Sequence, residues 1–97
     1  MERQYFVYIL ISKSGNAVYT GMTSNLRRRL EKHQTGNTGA HTHRYRIRKL
    51  VYFEIHHTLE NAYLREKRIK RWRRQWKIDL IESVNPGWRD VAIDVPY

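Results

Sequence analysis

Residues 5–11, YFVYILI, are apolar at every position, so a strand built from them must be covered on both faces. That requirement shapes the rest of the chain. The SKSGN segment that follows supplies turn residues around Gly15, and AVYTG, residues 17–21, reads as the returning strand. A hairpin closing symmetrically about Lys13 and Ser14 sets Tyr8 opposite Tyr19, two phenols on one face with Cβ atoms about 5 Å apart.

The elements needed to cover that strand follow in order. Thr23 or Ser24 can cap a helix running to about residue 34, because their oxygens accept the first-turn amides. Leu26 and Leu30 form its apolar stripe, His33 continues the stripe, and Arg29 sits at its edge. Residues 35–46, TGNTGAHTHRYR, read as a loop, and LVYFEI, residues 50–55, as the third strand. Thr58 caps a long basic helix to about Ser83, with Glu60 in its first turn and a break expected near Arg73 to Gln75, where basic residues crowd the stripe. Ala62, Ile69, Trp76 and Leu80 are expected on its buried face with Trp72 flanking, and Glu66 lies within that face. Pro86 and Gly87 end the helix, and the tail to Tyr97 is mostly irregular.

At 97 residues the chain is expected to form one small domain over residues 1–97 with a core that needs no staples. The absence of cysteine excludes disulfides and thiolate metal sites. The start, MERQYF, lacks the apolar stretch of a signal peptide, and no run approaches the ~20 apolar residues of a membrane span. The expectation is a soluble, cytoplasmic protein without a membrane partner. With 19 Lys and Arg against 9 Asp and Glu, the net charge is +10, a field that attracts polyanions and favours nucleic acid as partner.

Several polar side chains fall where chemistry could use them. A carboxylate on a buried face, as at Glu66, needs either a salt bridge, to Arg65, Arg68 or Arg29, or a hard divalent ion that keeps waters beside a single carboxylate. Arg29 could pair with Glu66 or Glu54, or clamp a phosphoryl group, and His33 alone reads as a structural histidine as readily as a catalyst. Tyr8 and Tyr19 could simply pack across the strands, since a phenol is a poor base unless a neighbouring cation lowers its pKa. His41, His43, His56 and His57 match no tetrahedral zinc set.

Taken together these residues resemble the GIY-YIG nuclease family, in particular its small stand-alone bacterial members. Phe6-Val7-Tyr8 and Tyr19-Thr20-Gly21 stand for the two name motifs, with Phe6 in place of glycine and Thr20 in place of isoleucine. TGMTSNLRRRLEKHQTG resembles the family's G-x-T-x-N-L-x-x-R-x-x-x-H-x-x-G segment, and KLVYFE, AYLREKRIKRW and NPGW are similar to stretches of those small members. The resemblance implies an α+β domain, a three-stranded antiparallel sheet flanked by helices, that cleaves phosphodiester bonds with one divalent metal ion, Mg or Mn. It implies Glu66 as metal ligand, Arg29 as stabiliser of the scissile phosphate, Tyr8 and Tyr19 as the pair that positions and activates water, with Tyr19 the general base, and His33 and Asn85 as further catalytic positions. A phenol beside such charge is expected to have a depressed pKa. DNA is the expected substrate, with RNA and structure-selective cleavage at a branch, flap or lesion left open and sequence preference weak, held through Arg27, Arg28, Arg44, Arg46, Arg48, Lys49, Lys67, Lys70, Arg71 and Arg74. The alternative is a nucleic-acid-binding module of the same fold with little or no turnover. A third reading, an RNA-binding or ribosome-associated accessory protein, rests on charge and on Trp72, Trp76 and Trp88, for which core roles are expected.

Overall fold

The computed structural model describes residues 3–12, 14–35 and 47–96, without the side chains of residues 33–35, 47 and 48. Strand β1 (Tyr5–Ser12) is the centre of a three-stranded antiparallel sheet of order β2-β1-β3, between β2 (Val18–Thr23) and β3 (Ile47–His56). It is buried from Phe6 to Ser12, as a strand apolar on both faces must be.

Alternation sorts its side chains into two cores. Phe6, Tyr8 and Leu10 face helix α1 (Leu26–Thr35), meeting Leu26, Leu30 and Leu50 together with Val91 and Val95 of the C-terminal segment. Val7, Ile9 and Ile11 face helices α2 (Leu59–Arg71) and α3 (Arg74–Val84), meeting Ala62, Ile69 and Ile81. A shift in the β1–β3 register between Ile9 and Leu10 leaves Val51 as an extra residue on β3, so Val51 and Tyr52 both serve the second core while Leu50 serves the first.

The hairpin closes two residues later than the symmetric expectation. Ser12 N–H donates to the Ala17 carbonyl at 3.0 Å, and Ser12 Oγ accepts from Ala17 N–H at 3.1 Å. Gly15, at φ +79°, turns the chain between them and donates to the Ser12 carbonyl. Tyr8 therefore pairs with Gly21, and Leu10 with Tyr19. Because the slip is an even number of residues, both tyrosines stay on one face, as diagonal rather than direct neighbours.

Two helix starts differ in their fit to expectation. Asn25, rather than Thr23 or Ser24, caps α1, its Oδ1 accepting from Arg28 N–H at 3.2 Å while Thr23 Oγ1 accepts from Asn25 N–H. Thr58 caps α2 as expected, through Asn61 N–H. The long basic helix breaks at Trp72 and Arg73, both extended, one residue before the expected point. Two extended residues reset the helical phase, so Ile81 rather than Trp76 carries the buried stripe onward, and Trp76 is 52% exposed.

The C-terminal segment closes the outer edge of β3, where unpaired carbonyls would otherwise invite another strand. Val91 N–H donates to the Leu50 carbonyl, and Asn85 Nδ2 to that of Val51. A single-turn 3-10 helix (Ala92–Asp94) follows, and no helix among the described residues is long and apolar enough to cross a membrane.

Candidate active site

Tyr8 projects from the middle of β1 onto the α1 face, and its ring lies over Gly21 on β2. A Cβ built on Gly21 would fall 2.5 Å from both Cζ and Oη of Tyr8, closer than any real contact, so the phenol occupies space that only glycine leaves. Tyr19, two residues earlier on the same strand face, is partly buried against the same cluster. The rule that a glycine inside a strand marks a close approach could have disclosed this from YTG, but its partner depends on the register.

Two charges act on that phenol. Burial pushes the Tyr8 pKa above its ordinary value near 10, the Arg29 guanidinium pulls it down, and the Glu66 carboxylate pushes it up again. The net direction is upward, because removal from water outweighs the arginine. Arg29 and Glu66 are thus each within electrostatic reach of Tyr8, although α1 and α2 cover different faces.

Arg29 is exposed rather than turned toward the core, and its guanidinium makes no hydrogen bond or ion pair among the described residues. It borders an open concavity with Thr23, Ser24, Asn25, Arg28 and Lys32. Leu26 and Leu30, on the neighbouring face of α1, pin the helix to the sheet and hold Arg29 at its margin. Glu66 lies between the buried Ala62 and Ile69 with its side chain 17% exposed, and Lys70 Nζ stands off at 3.6 Å. Among the described residues none of the three arginines expected as its partner, Arg65, Arg68 and Arg29, takes that role: Arg65 pairs instead with Glu54 at 3.0 Å. A largely buried carboxylate paired only at 3.6 Å with the exposed Lys70 ammonium is a hard-oxygen ligand of the kind Mg or Mn accepts. Among the described residues no three His, Asp or Glu side chains gather into a metal cluster, so a cation here would rest on Glu66 with waters and substrate oxygens completing its shell.

Other expected site residues are employed elsewhere. Asn85 is buried at 5% exposure, with Nδ2 donating to the Val51 and Arg89 carbonyls and Oδ1 accepting from Arg89 N–H. Its amide organises the turn after α3 and is not offered to a phosphate. Arg27 turns inward to donate to the Val95 carbonyl, and Lys49 Nζ donates to the Trp88 carbonyl at 3.1 Å, so both tie the C-terminal segment down instead of facing a strand of nucleic acid. Arg74 donates to the Gly15 and Asn16 carbonyls while remaining exposed. Arg28, Lys67, Lys70 and Arg71 are exposed cations, Lys67 lying over the Tyr63 ring at 4.7 Å. His41, His43, Arg44 and Arg46 lie outside the described residues, as do the side chains of His33 and Arg48.

A second polar cluster went unread in the sequence. Glu54 accepts from Tyr52 Oη, from Arg65 Nε and from His56 Nε2. Burial pushes the Glu54 pKa up, but these hydrogen bonds outweigh it and hold the carboxyl below its ordinary value near 4.5. The alternation Tyr52-x-Glu54-x-His56 on one strand face was a visible signal, whereas Arg65 joins it only through the packing of α2 on β3.

Comparison with known proteins decides the family. The model of the GIY-YIG catalytic domain matches residues 4–79. The chain belongs to the GIY-YIG family. That places it in a nuclease-type superfamily, and residues 4–79 carry Tyr8, Tyr19, Arg29 and Glu66. It is similar to a UPF0213 protein of Clostridium perfringens, 40% identical over 80% of this chain and 83% of the relative. A UPF0213 protein of Syntrophus aciditrophicus is 40% identical over 89% and 97% of the two chains. The solution NMR structure of a UPF0213 protein from Bacillus halodurans superposes with a TM-score of 0.58 at 30% identity, covering 92% of this chain and 94% of that one. The GIY-YIG fold here is therefore the α+β sheet-and-helix domain of small stand-alone family members.

Proposed function

We propose that this GIY-YIG protein is a divalent-metal-dependent endonuclease that hydrolyses phosphodiester bonds in DNA with little sequence preference. The observation that carries the reading is Tyr8, seated over Gly21 and subject at once to the charges of Arg29 and Glu66. A cation held by Glu66, Mg or Mn, would supply Lewis acidity to the scissile phosphate and to the departing 3′ oxygen. Arg29, with no partner of its own among the described residues, is available to a phosphate oxygen and to the negative charge that grows on it as water adds to phosphorus.

The two phenols take different tasks. Tyr8, whose burial favours the neutral form, keeps its proton and orients the attacking water by a hydrogen bond. Tyr19, as the phenolate, accepts the proton that water loses as the new oxygen–phosphorus bond forms and the bond to the 3′ oxygen breaks. His33, one turn beyond Arg29, would assist at the phosphate. Binding relies on exposed cations, Arg28, Lys67, Lys70 and Arg71 among them.

The test is cleavage of single-stranded, duplex, flap and branched DNA and RNA with Mg²⁺ or Mn²⁺. Wild type should cut DNA, while Glu66→Ala and Tyr19→Phe should each lose at least ~100-fold in rate, the scale of a missing general base or metal ligand. Absence of cleavage by wild type, or rates unchanged in both variants, would overturn the assignment. Salt-sensitive binding without cleavage would favour a non-catalytic nucleic-acid-binding module instead.

A further inference from the structure

The break between α2 and α3 leaves two tryptophans at one corner. Trp72, the extended residue that caps α2, is half-buried against the core that contains Ile69, whereas Trp76 on the first turn of α3 is 52% exposed. Their rings meet edge to face, centroids 6.3 Å apart at 80°. Arg65 lies 5.2 Å from the Trp72 ring and Arg73 lies 6.0 Å from that of Trp76. A single exposed aromatic needs no explanation. This one is braced by a second tryptophan, flanked by a guanidinium and surrounded in sequence by Arg71, Arg73, Arg74 and Lys77, with Asp79 occupied by Gln75.

The corner is also fixed relative to the candidate active site. Arg74 donates to the Gly15 and Asn16 carbonyls of the turn that joins the strands bearing Tyr8 and Tyr19. Trp72 ends the helix that carries Glu66, six residues on, or about 9 Å along its axis. A flat, rigid, half-open ring in a positive surround fits a nucleobase whose π-face is free and whose phosphates are anionic, the combination that single-strand-binding proteins use. A fully paired duplex offers phosphates but no open base face.

Resting on the nuclease reading for its ligand class, we infer that Trp76 is a stacking platform for an unpaired base, so that this protein prefers substrates with a single-stranded segment beside the scissile phosphate. Stacking on Trp76 supplies affinity only where a base is unpaired, whereas the surrounding cations serve every nucleic acid alike.

Binding separates this inference from turnover. Fluorescence anisotropy in metal-free buffer, with Glu66→Ala as the parent protein, compares an oligothymidine strand, the same length of abasic strand, a blunt duplex and a duplex with a single-stranded overhang. Trp76→Ala should weaken the strand and overhang complexes about tenfold, on the scale of stacking one base, and move the blunt duplex less than twofold. Trp76→Phe should recover most of the loss, and the abasic strand should bind the parent as weakly as the thymidine strand binds Trp76→Ala. Equal losses on strand and blunt duplex, or equal affinity for abasic and thymidine strands, would overturn the inference. So would a dimer in sedimentation that Trp76→Ala dissolves, since a second copy would then cover the ring. Because cleavage is not measured, a failed platform leaves the nuclease reading standing, and an inactive nuclease leaves the platform testable.

Discussion

At the scale of single residues, the candidate active site depends on an absence. Gly21 matters for the space above its Cα, which the Tyr8 phenol fills. In Gly21→Ala the new methyl group must displace the ring, a form of overpacking that costs about 1–3 kcal/mol. Cleavage by Gly21→Ala should fall as far as it does in Tyr8→Phe, with only a modest drop in the urea midpoint. The double variant should be no worse than the poorer single one, because both changes remove the same hydroxyl from its post. Wild-type turnover in Gly21→Ala, or losses that multiply, would show that Tyr8 is not held by this contact. Other residues were legible by type but not by partner. Glu66 was visible as a carboxylate on an apolar face, yet Arg65 went to Glu54, and among the described residues Glu66 pairs with Lys70.

At the scale of elements, two devices set the site's geometry. The Ser12–Ala17 closure fixes the hairpin register, and hence which residue lies beneath Tyr8. The Asn85 turn fixes the C-terminal segment against β3, where three hydrogen bonds of one buried amide join the end of α3, the bulged strand and Arg89. Asn85→Ala leaves the buried carbonyl of Val51 without a donor, so it should destabilise the fold by roughly 2–3 kcal/mol, seen as a lower urea midpoint. The rate per folded molecule should change less than threefold at saturating DNA. A large loss of rate with unaltered stability would restore Asn85 to the phosphate. The break at Trp72 and Arg73 was legible in outline, since basic residues interrupt the stripe, but its effect on phase was not. The two extended residues turn everything downstream about the helix axis, which carried Trp76 out of the core.

For the whole molecule, the governing quantity is charge. A net charge of +10 on 97 residues, with Arg28, Lys67, Lys70 and Arg71 exposed, implies binding dominated by counterion release. Affinity for duplex DNA should fall linearly with salt on a log–log plot, and Arg28→Gln should reduce the slope by about one, while Arg27→Gln should leave the slope unchanged and lower stability instead. Equal slope changes for the two would mean that Arg27 also reaches phosphate, despite its bond to the Val95 carbonyl.

From sequence alone the chain was bound to bury YFVYILI on both faces, to turn at Gly15, to start a helix at Thr58 and to stop one at Pro86, because apolar periodicity, glycine torsions and caps act over a few neighbouring residues. The family motifs likewise lie along contiguous stretches of the chain and could be read as they stand. The tertiary structure decided the register that set Tyr8 over Gly21, the partners that withdrew Arg27, Lys49 and Asn85 into structural work, and the exposure of Trp76. Each depends on which distant segments meet and at what distance, and no spacing along the chain encodes that. The same long-range meeting brings Arg29 and Glu66, from helices on opposite faces of the sheet, to bear on one buried phenol.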